Sequence, residues 1–440
     1  MIKIAFIGGG SVQWTPALVT DMALTETLAG ATLVLHDIDA AALDLLTRTS
    51  QRIVAQVGGN LRISATLDRA EALRDADFVI LCVAIGGLRA MRNDLEIPER
   101  YGIRQSVGDT VGPGGLARGL RHIPFAVRVA REMEQLCPDA WLLNLTNPMA
   151  TICRGVTRAT RIRAIGLCHE IAGVRHRLAD LLSVPLETIA FEIAGVNHLP
   201  AILRCSVGGR DGLALLREWL AAHDPFEFAR GVELNNVFDV FIDRLALKLT
   251  LFEQLGVLFG AGDRHVAEFF PGFLTEQTGW GRRYGILLTT VEQREEMARV
   301  RRSQIEFFAG GGEWQLEKSE EQLAPVMAAL LGGPAGRFVV NVPNRGQVDN
   351  LPRDAVVECV AEIDALGVRP LAVGALPHAA YAALAPHVAR QELIVEAALT
   401  GERDPALAAL ATDPLVRDPA TAGPLLDELL KANESTGSER

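Results

Sequence analysis

Short apolar runs recur along the first 170 residues: "IKIAFI" at 2–7, "TLVLH" at 32–36, "LRISA" at 61–65, "DFVILCV" at 77–83, "AWLLNL" at 140–145 and "IRAIGL" at 162–167. Several are continuous rather than alternating, as strands buried on both faces of a sheet must be. Helical periodicity fills stretches between them, at 39–57 and 116–136. Strands alternating with helices predict a mostly parallel sheet with helices on both faces, an α/β fold of the Rossmann type.

After about residue 196 the pattern changes. Helices are expected near 235–256, 290–308 and 320–331, a strand over "RFVVNV" at 337–342, and helices through the Ala/Leu-rich 377–432. "VPNRGQVDNLPRDAVVE" reads as an ordered extended loop, and the last eight residues, "NESTGSER", as a frayed end. The expected organisation is a nucleotide-binding domain over 1–195, then a mixed α+β domain over 196–432 that supplies substrate-binding, catalytic and oligomerisation surfaces.

The first strand breaks into Gly8, Gly9 and Gly10, with Ser11 and Val12 leading into a helix. Such a turn lets the backbone approach a pyrophosphate, and the helix start offers N–H donors. Position 13 is Gln, so the full GxGxxG pattern is absent. Asp37, at the end of the second run, lies 27 residues after Gly10. A carboxylate there accepts from a ribose 2′-hydroxyl and repels a 2′-phosphate, which favours NAD over NADP. It also suits a turn or helix cap.

Composition narrows the classes. The 440 residues are 49% hydrophobic and 22% charged, with a net charge of −11 and no basic patch beyond short Arg pairs, so nucleic acid is not an expected partner. No apolar run reaches the roughly 20 residues of a membrane span. Six scattered cysteines with no CxxC pair suggest free thiols in a reducing cytoplasm.

A nicotinamide fold with "NLTNPMA" at 144–150 suggests a dehydrogenase of the lactate/malate kind, which would use a His–Asp pair and no metal; a non-catalytic NAD sensor is a further possibility. "GLCHE" at 166–170 and "GVNHL" at 195–199 point elsewhere. A thiolate at Cys168 and an imidazole at His198 suit a borderline divalent cation and leave coordination positions open. Each residue alone also fits a core position.

Seven segments occur in order: "GGGS" at 8–11, "YGIRQSVGDTVGPGGLARGLRHIP" at 101–124, "NLTNP" at 144–148, "GLCHE" at 166–170, "GVNHL" at 195–199, "AGDRHVAEFFP" at 261–271 and "VNVPNRGQVDNLPRDAVVE" at 340–358. Together they resemble glycoside hydrolase family 4, the NAD- and manganese-dependent glycosidases. The resemblance runs from residue 1 to about 400. It implies cleavage by oxidation at C3 of the sugar, removal of the C2 proton, elimination of the C1 leaving group, addition of water and return of the hydride, without net consumption of NAD.

The resemblance further implies Cys168 and His198 as metal ligands and Asn147, Asp109 and Arg104 as groups near the sugar. Asn147 could instead cap a helix, and Asp109 with Arg104 could be a loop ion pair. Asp263, in "AGDRHV", matches an aspartate close to the metal and is the expected base; His169 is the other acid/base candidate, with a pKa near neutrality. The tyrosine that serves phospho-glucosidase members has no counterpart in the expected region. Family members are usually dimers or tetramers, so a homo-oligomer is expected.

The letters after the metal cysteine, "CHEI", are most similar to the "CHEV" of α-galacturonidases; α-galactosidases, α-glucosidases and α-glucuronidases are the alternatives. A uronate carboxylate calls for an arginine fork, and Arg92, Arg104, Arg264, Arg282 and Arg283 are candidates.

Overall fold

The computed structural model describes residues 1–230 and 235–436. Its strands are β1 Lys3–Ile7, β2 Thr32–His36, β3 Arg62–Thr66, β4 Phe78–Leu81, β5 Trp141–Asn144, β6 Arg163–Gly166, β7 Ile189–Val196, β8 Leu199–Val207, β9 Arg210–Asp211, β10 Leu258–Phe259, β11 Gly336–Pro343, β12 Val356–Asp364 and β13 Gly367–Pro370. The main path runs β10-β8-β7-β12-β11-β6-β5-β4-β1-β2-β3. Strands β1 to β6 pair in parallel in the order 3-2-1-4-5-6. That order reverses beside β1, the topological switch point where doubly wound sheets bind their ligands.

The continuous apolar runs have a direct cause. Alternate side chains of one strand enter different cores. Ile4 and Phe6 of β1, Leu33 and Leu35 of β2, and Phe78 and Ile80 of β4 join one cluster. Ala5, Ile7, Val34, Val79 and Leu81 join the other. The second core is closed by the helix Gly112–Leu136 and by helices from the far end of the chain, His378–Thr400, Arg403–Ala411 and Ala422–Thr436. The C-terminal segment thus folds back over the first half.

Helices expected at 39–57, 116–136, 290–308 and 320–331 are observed at Ala40–Gln56, Gly112–Leu136, Val291–Ala309 and Leu323–Leu330. The stretch near 235–256 is a helix only over Ala246–Leu255, preceded by a short 3-10 turn at Val237–Phe241. Leu245, with φ of +63°, stops the helix from extending backward. The region 377–432 is three helices, the first ended by Gly401 at φ +77°. Residues 433–436 are helical, not frayed: the Asn433 side chain donates to the Ala117 carbonyl and accepts from Arg121. Residues 437–440 of that expectation lie outside the described residues.

Antiparallel strands β7, β8, β12 and β13 are additions to the expected set, and β11 joins them to β6 through Asn341 and Gly166. The ordered loop between β11 and β12 is built on buried Asn344, which donates to the carbonyls of Val348 and Leu351 and accepts from the N–H groups of Gly346 and Val348.

Candidate active site

The glycine turn follows β1. Gly8 has φ of +96°, and a Cβ there would lie 1.9 Å from the Cys82 carbonyl oxygen at the end of β4. Only glycine fits that approach. The Asp37 carboxylate accepts from the N–H groups of Gly10 (3.0 Å), Ile38 (2.8 Å) and Asp39 (3.1 Å). Asp39, not Asp37, caps the following helix, through Ala41 and Ala42. Asp37 therefore braces the glycine turn and retains acceptor capacity, since a carboxylate offers about four lone-pair sites. Ser11 accepts from the Trp14 N–H, and Val12 packs beside Leu45 and Leu46.

The remaining groups come from loops around this edge: Ser106–Thr110 before the helix Gly112–Leu136, Asn147 after β5, Cys168–Glu170 after β6, the Asn197–His198 tip between β7 and β8, and the short helix Asp263–Val266 after β10. His198 holds φ of +67° at that hairpin tip, a left-handed conformation that costs a non-glycine residue about 1–3 kcal/mol.

Ligand atoms of Asp109, His198 and His265 lie within 4.8 Å of one another, the one such three-residue group among the described residues. The His198 and His265 ring centroids are 3.8 Å apart. Thr110 Oγ1 is 2.7 Å from Asp109 Oδ1 and 2.8 Å from His198 Nδ1. A hydroxyl has one proton. An ionised Asp109 only accepts, so Thr110 donates to Asp109 and accepts from His198 Nδ1–H. The His198 lone pair is thereby left on Nε2.

The electrostatics favour this assignment. Burial, then the neighbouring His265, pushes His198 down to about 3, so it is neutral at pH 7. Burial also lowers His265, and its Nδ1 is buried without a hydrogen-bond partner. Burial would raise Asp109, but His265, His198 and Arg118 outweigh it and hold the carboxyl well below the usual range. Burial likewise opposes the ionisation of Glu170, yet the surrounding histidines bring it to about 2; its Oε2 accepts from the Gly262 N–H at 2.8 Å. Two neutral imidazoles and a carboxylate form a donor set suited to a borderline divalent cation.

Cys168 stands next to that group rather than inside it. Its thiol meets the Asn197 side chain and the Glu170 N–H, and burial with nearby Glu358 and Glu170 raises it well above an ordinary thiol. Asn197 Nδ2 also donates to Glu358 Oε1 at 3.4 Å. Burial pushes Glu358 up to about 7.

His169 is half exposed, with Nδ1 3.0 Å from Glu321 Oε1. Burial opposes its charge, but Glu321 raises it to about 9. Its ring lies 5.7 Å from Trp14 on the glycine turn. Asn147 donates to Asp109 Oδ2 at 3.2 Å, caps no helix, and keeps a buried Oδ1 without a partner.

Asp263 is buried, and burial with the neighbouring Asp243 raises its carboxyl to about 6. Its carboxylate accepts from the N–H groups of Leu247 (2.9 Å) and Lys248 (3.1 Å) and faces the fully buried Lys248 ammonium at 2.8 Å. Lys248 is shared with Asp243. Asp263 thus caps the helix Ala246–Leu255 and opens the turn that carries His265.

Arg104 is exposed and lies over the Trp280 ring at 4.8 Å rather than pairing with Asp109. Arg92 is claimed by Glu96, Glu292 and Glu295. Arg282 and Arg283 lie exposed on a 3-10 turn. Sequence reasoning passed over His265, Glu170, Thr110 and Glu358. All four lay inside quoted motifs but were overshadowed by their neighbours. His265 is 67 positions from His198, a separation with no local spacing signal.

Family models match along the chain: family 4 glycosyl hydrolase over residues 3–184 and family 4 glycosyl hydrolase C-terminal domain over 193–416. An α-galacturonidase from Bacillus subtilis (strain 168) is 36% identical over 448 aligned residues, covering 98% of this chain and 97% of that protein. The crystal structure of LplD from Bacillus subtilis superposes with a TM-score of 0.90 at 34% identity, covering 98% of this chain and 99% of the other. The 6-phospho-β-glucosidase from Thermotoga maritima, solved with manganese, NAD+ and glucose-6-phosphate, gives a TM-score of 0.80 at 25% identity with 99% of both chains covered.

Proposed function

The chain belongs to the family 4 glycosyl hydrolases, and on that footing we propose that it hydrolyses α-galacturonides with NAD and a divalent cation, manganese first among them. Family membership displaces the lactate/malate-like alternative. The substrate rests on the near-full-length similarity to an α-galacturonidase and on the "CHEI" letters at 168–171.

The observation that carries the chemistry is the Asp109–Thr110–His198 relay, which leaves a nitrogen lone pair beside His265. His198, with Cys168 beside it, would hold the cation, and Asp109 and His265 complete the donor set. The orphaned His265 Nδ1 fits that use. The Gly8–Val12 turn and Asp37 would hold the dinucleotide, and the close approach of Gly8 to Cys82 fits it. The chemistry supplied by the two groups when bound is reversible hydride transfer and Lewis-acid polarisation of the sugar hydroxyls.

The chain's own residues do the rest. Asn147 presents Oδ1 to a sugar hydroxyl while Nδ2 orients Asp109. His169, kept protonated by Glu321, donates a proton to the departing oxygen. Asp263 positions His265 by anchoring the turn that carries both residues to the helix Ala246–Leu255. Arg104, stacked on Trp280, is the exposed arginine that would contact the sugar. Arg92, held by three glutamates, is left out of it. Free thiols at all six cysteines support a reducing, cytoplasmic setting, and the reading includes a homo-oligomer. No helix among the described residues is long and apolar enough to cross a membrane.

The test is release of 4-nitrophenol from the α-galacturonide beside the α-galactoside, α-glucoside and α-glucuronide, with NAD+, manganese and a thiol, while absorbance of NADH is followed. Preferential release from the galacturonide with no net NADH is the expected result. Release from a neutral sugar alone would discard the uronate and keep the redox route.

A further inference from the structure

Three arginines near Asp109 have no acidic partner within salt-bridge distance among the described residues: Arg118, Arg264 and Arg294. Arg118 donates through Nε to the Asn147 carbonyl at 2.9 Å, and its charge is directed at Asp109, which it helps to keep ionised. The other two come from separate elements, the turn Asp263–Val266 and the helix Val291–Ala309, and meet on one loop. Arg264 Nη2 donates to the Ser106 carbonyl at 3.2 Å and to Thr289 Oγ1 at 2.7 Å. Arg294 Nη2 donates to the next carbonyl, Val107, at 3.1 Å. Both Nε atoms are buried and unpartnered.

The carboxylates that act on the pair, Glu170, Asp109 and Glu268 on Arg264 and Asp109 and Glu268 on Arg294, all stand beyond salt-bridge distance. The glutamates flanking Arg294 on its own helix, Glu292 and Glu295, turn outward to Arg92. Glu268 spends Oε1 on the N–H groups of Val107 and Gly108 and leaves Oε2 without a partner; burial pushes it up to about 7, so it is only partly ionised at neutral pH. Burial, then the like charge of Arg264, brings Arg294 down to about 10. Two partly buried guanidiniums anchored on adjacent carbonyls, with N–H groups left over and no carboxylate in salt-bridge contact, suit a planar anion.

We propose that Arg264 and Arg294 form the clamp for the C6 carboxylate of a uronate whose ring hydroxyls face His198 and His265, and so set the preference for uronates over neutral sugars. The inference rests on the α-galacturonidase reading above and names the residues that carry it. Arg294 adds to the sequence-derived candidates. Arg92 leaves them; its role is to draw Glu292 and Glu295 away from Arg294.

The clamp is tested by binding, apart from turnover. The affinities of D-galacturonate and D-galactose are measured by calorimetry for the wild type, Arg264→Gln, Arg294→Gln and Arg294→Lys, with NAD+ and manganese present. The wild type should favour galacturonate. Each Gln variant should lose about 10- to 100-fold on galacturonate, the span of a lost charged hydrogen bond, and far less on galactose. Arg294→Lys should fall between, because it keeps the charge and loses the fork. Equal losses on both sugars, or an undiminished galacturonate preference in both Gln variants, would overturn the clamp. A wild type that binds galacturonate through these arginines but hydrolyses another glycoside keeps the clamp and removes the α-galacturonidase reading. A wild type with no preference for galacturonate removes the clamp.

Discussion

Thr110 Oγ1 lies 2.8 Å from His198 Nδ1 and 2.7 Å from Asp109 Oδ1, so one hydroxyl fixes which imidazole nitrogen keeps its lone pair. Outer partners of this kind set ring orientation and ligand basicity, and their loss costs about 10- to 100-fold in metal affinity. Thr110→Val should therefore raise the manganese concentration for half-maximal activity by about that factor, with a smaller effect at saturating metal, and Thr110→Ser should recover most of it. Identical manganese titrations for wild type and the valine variant would remove the relay from metal binding.

Asp263 and Lys248 separate positioning from proton transfer. Removing the Lys248 ammonium strands the buried carboxylates of Asp243 and Asp263, and breaking a buried pair in this way costs about 3–5 kcal/mol. Lys248→Met should lower the unfolding midpoint sharply in a denaturant titration. Asp263→Asn should lose stability while keeping most of the kcat of the folded fraction. A kcat collapse of about a thousandfold or more in a normally stable Asp263→Asn protein would restore it as the base.

His169 and Glu321 bear on the leaving group. A general acid matters most for a basic leaving oxygen. His169→Asn should slow a galacturonide with an alkyl aglycone by about 100-fold and the 4-nitrophenyl substrate distinctly less. Equal slowing of both would deny His169 the acid role.

Asp413 gives a pH-dependent stability. Burial raises its carboxyl to about 6, above an unfolded value of about 3.9. The folded state binds the proton more tightly, so the contribution is present below about pH 4 and lost as pH rises through about 6. Arg390 Nε, 3.9 Å away, only partly offsets the charge. Asp413→Asn should remove that decline and gain about 1–3 kcal/mol over the wild type near pH 8. Urea unfolding at pH 4 and pH 8 checks it; a mutant-minus-wild-type difference that is the same at both would show that Asp413 does not titrate in this window.

The first half of the fold was legible because its strands are buried on both faces: Ile4 and Phe6 enter one core and Ala5 and Ile7 the other, so the runs read as continuous apolar blocks. Strands β7 and β8 were not legible. "GVNHL" was read for its histidine, and a two-residue hairpin tip without an Asn-Gly or Gly-Gly signature gave no turn signal. The site was legible where a motif presented its chemical group directly, as at His198. It was hidden where side chains from distant segments converge, as His265 does on Asp109. Asp263 shows the opposite difficulty: a motif aspartate whose partners, Leu247 and Lys248, become visible only once the helix is placed beside it.

His198 sits at a hairpin tip in a conformation that glycine would adopt without strain. A redesign guided only by melting temperature would replace it, gain stability and erase the lone pair that Thr110 orients. Position 198 is thus where selection for robustness and selection for chemistry pull in opposite directions, and a thermostabilised variant of this chain would have to find its gains elsewhere.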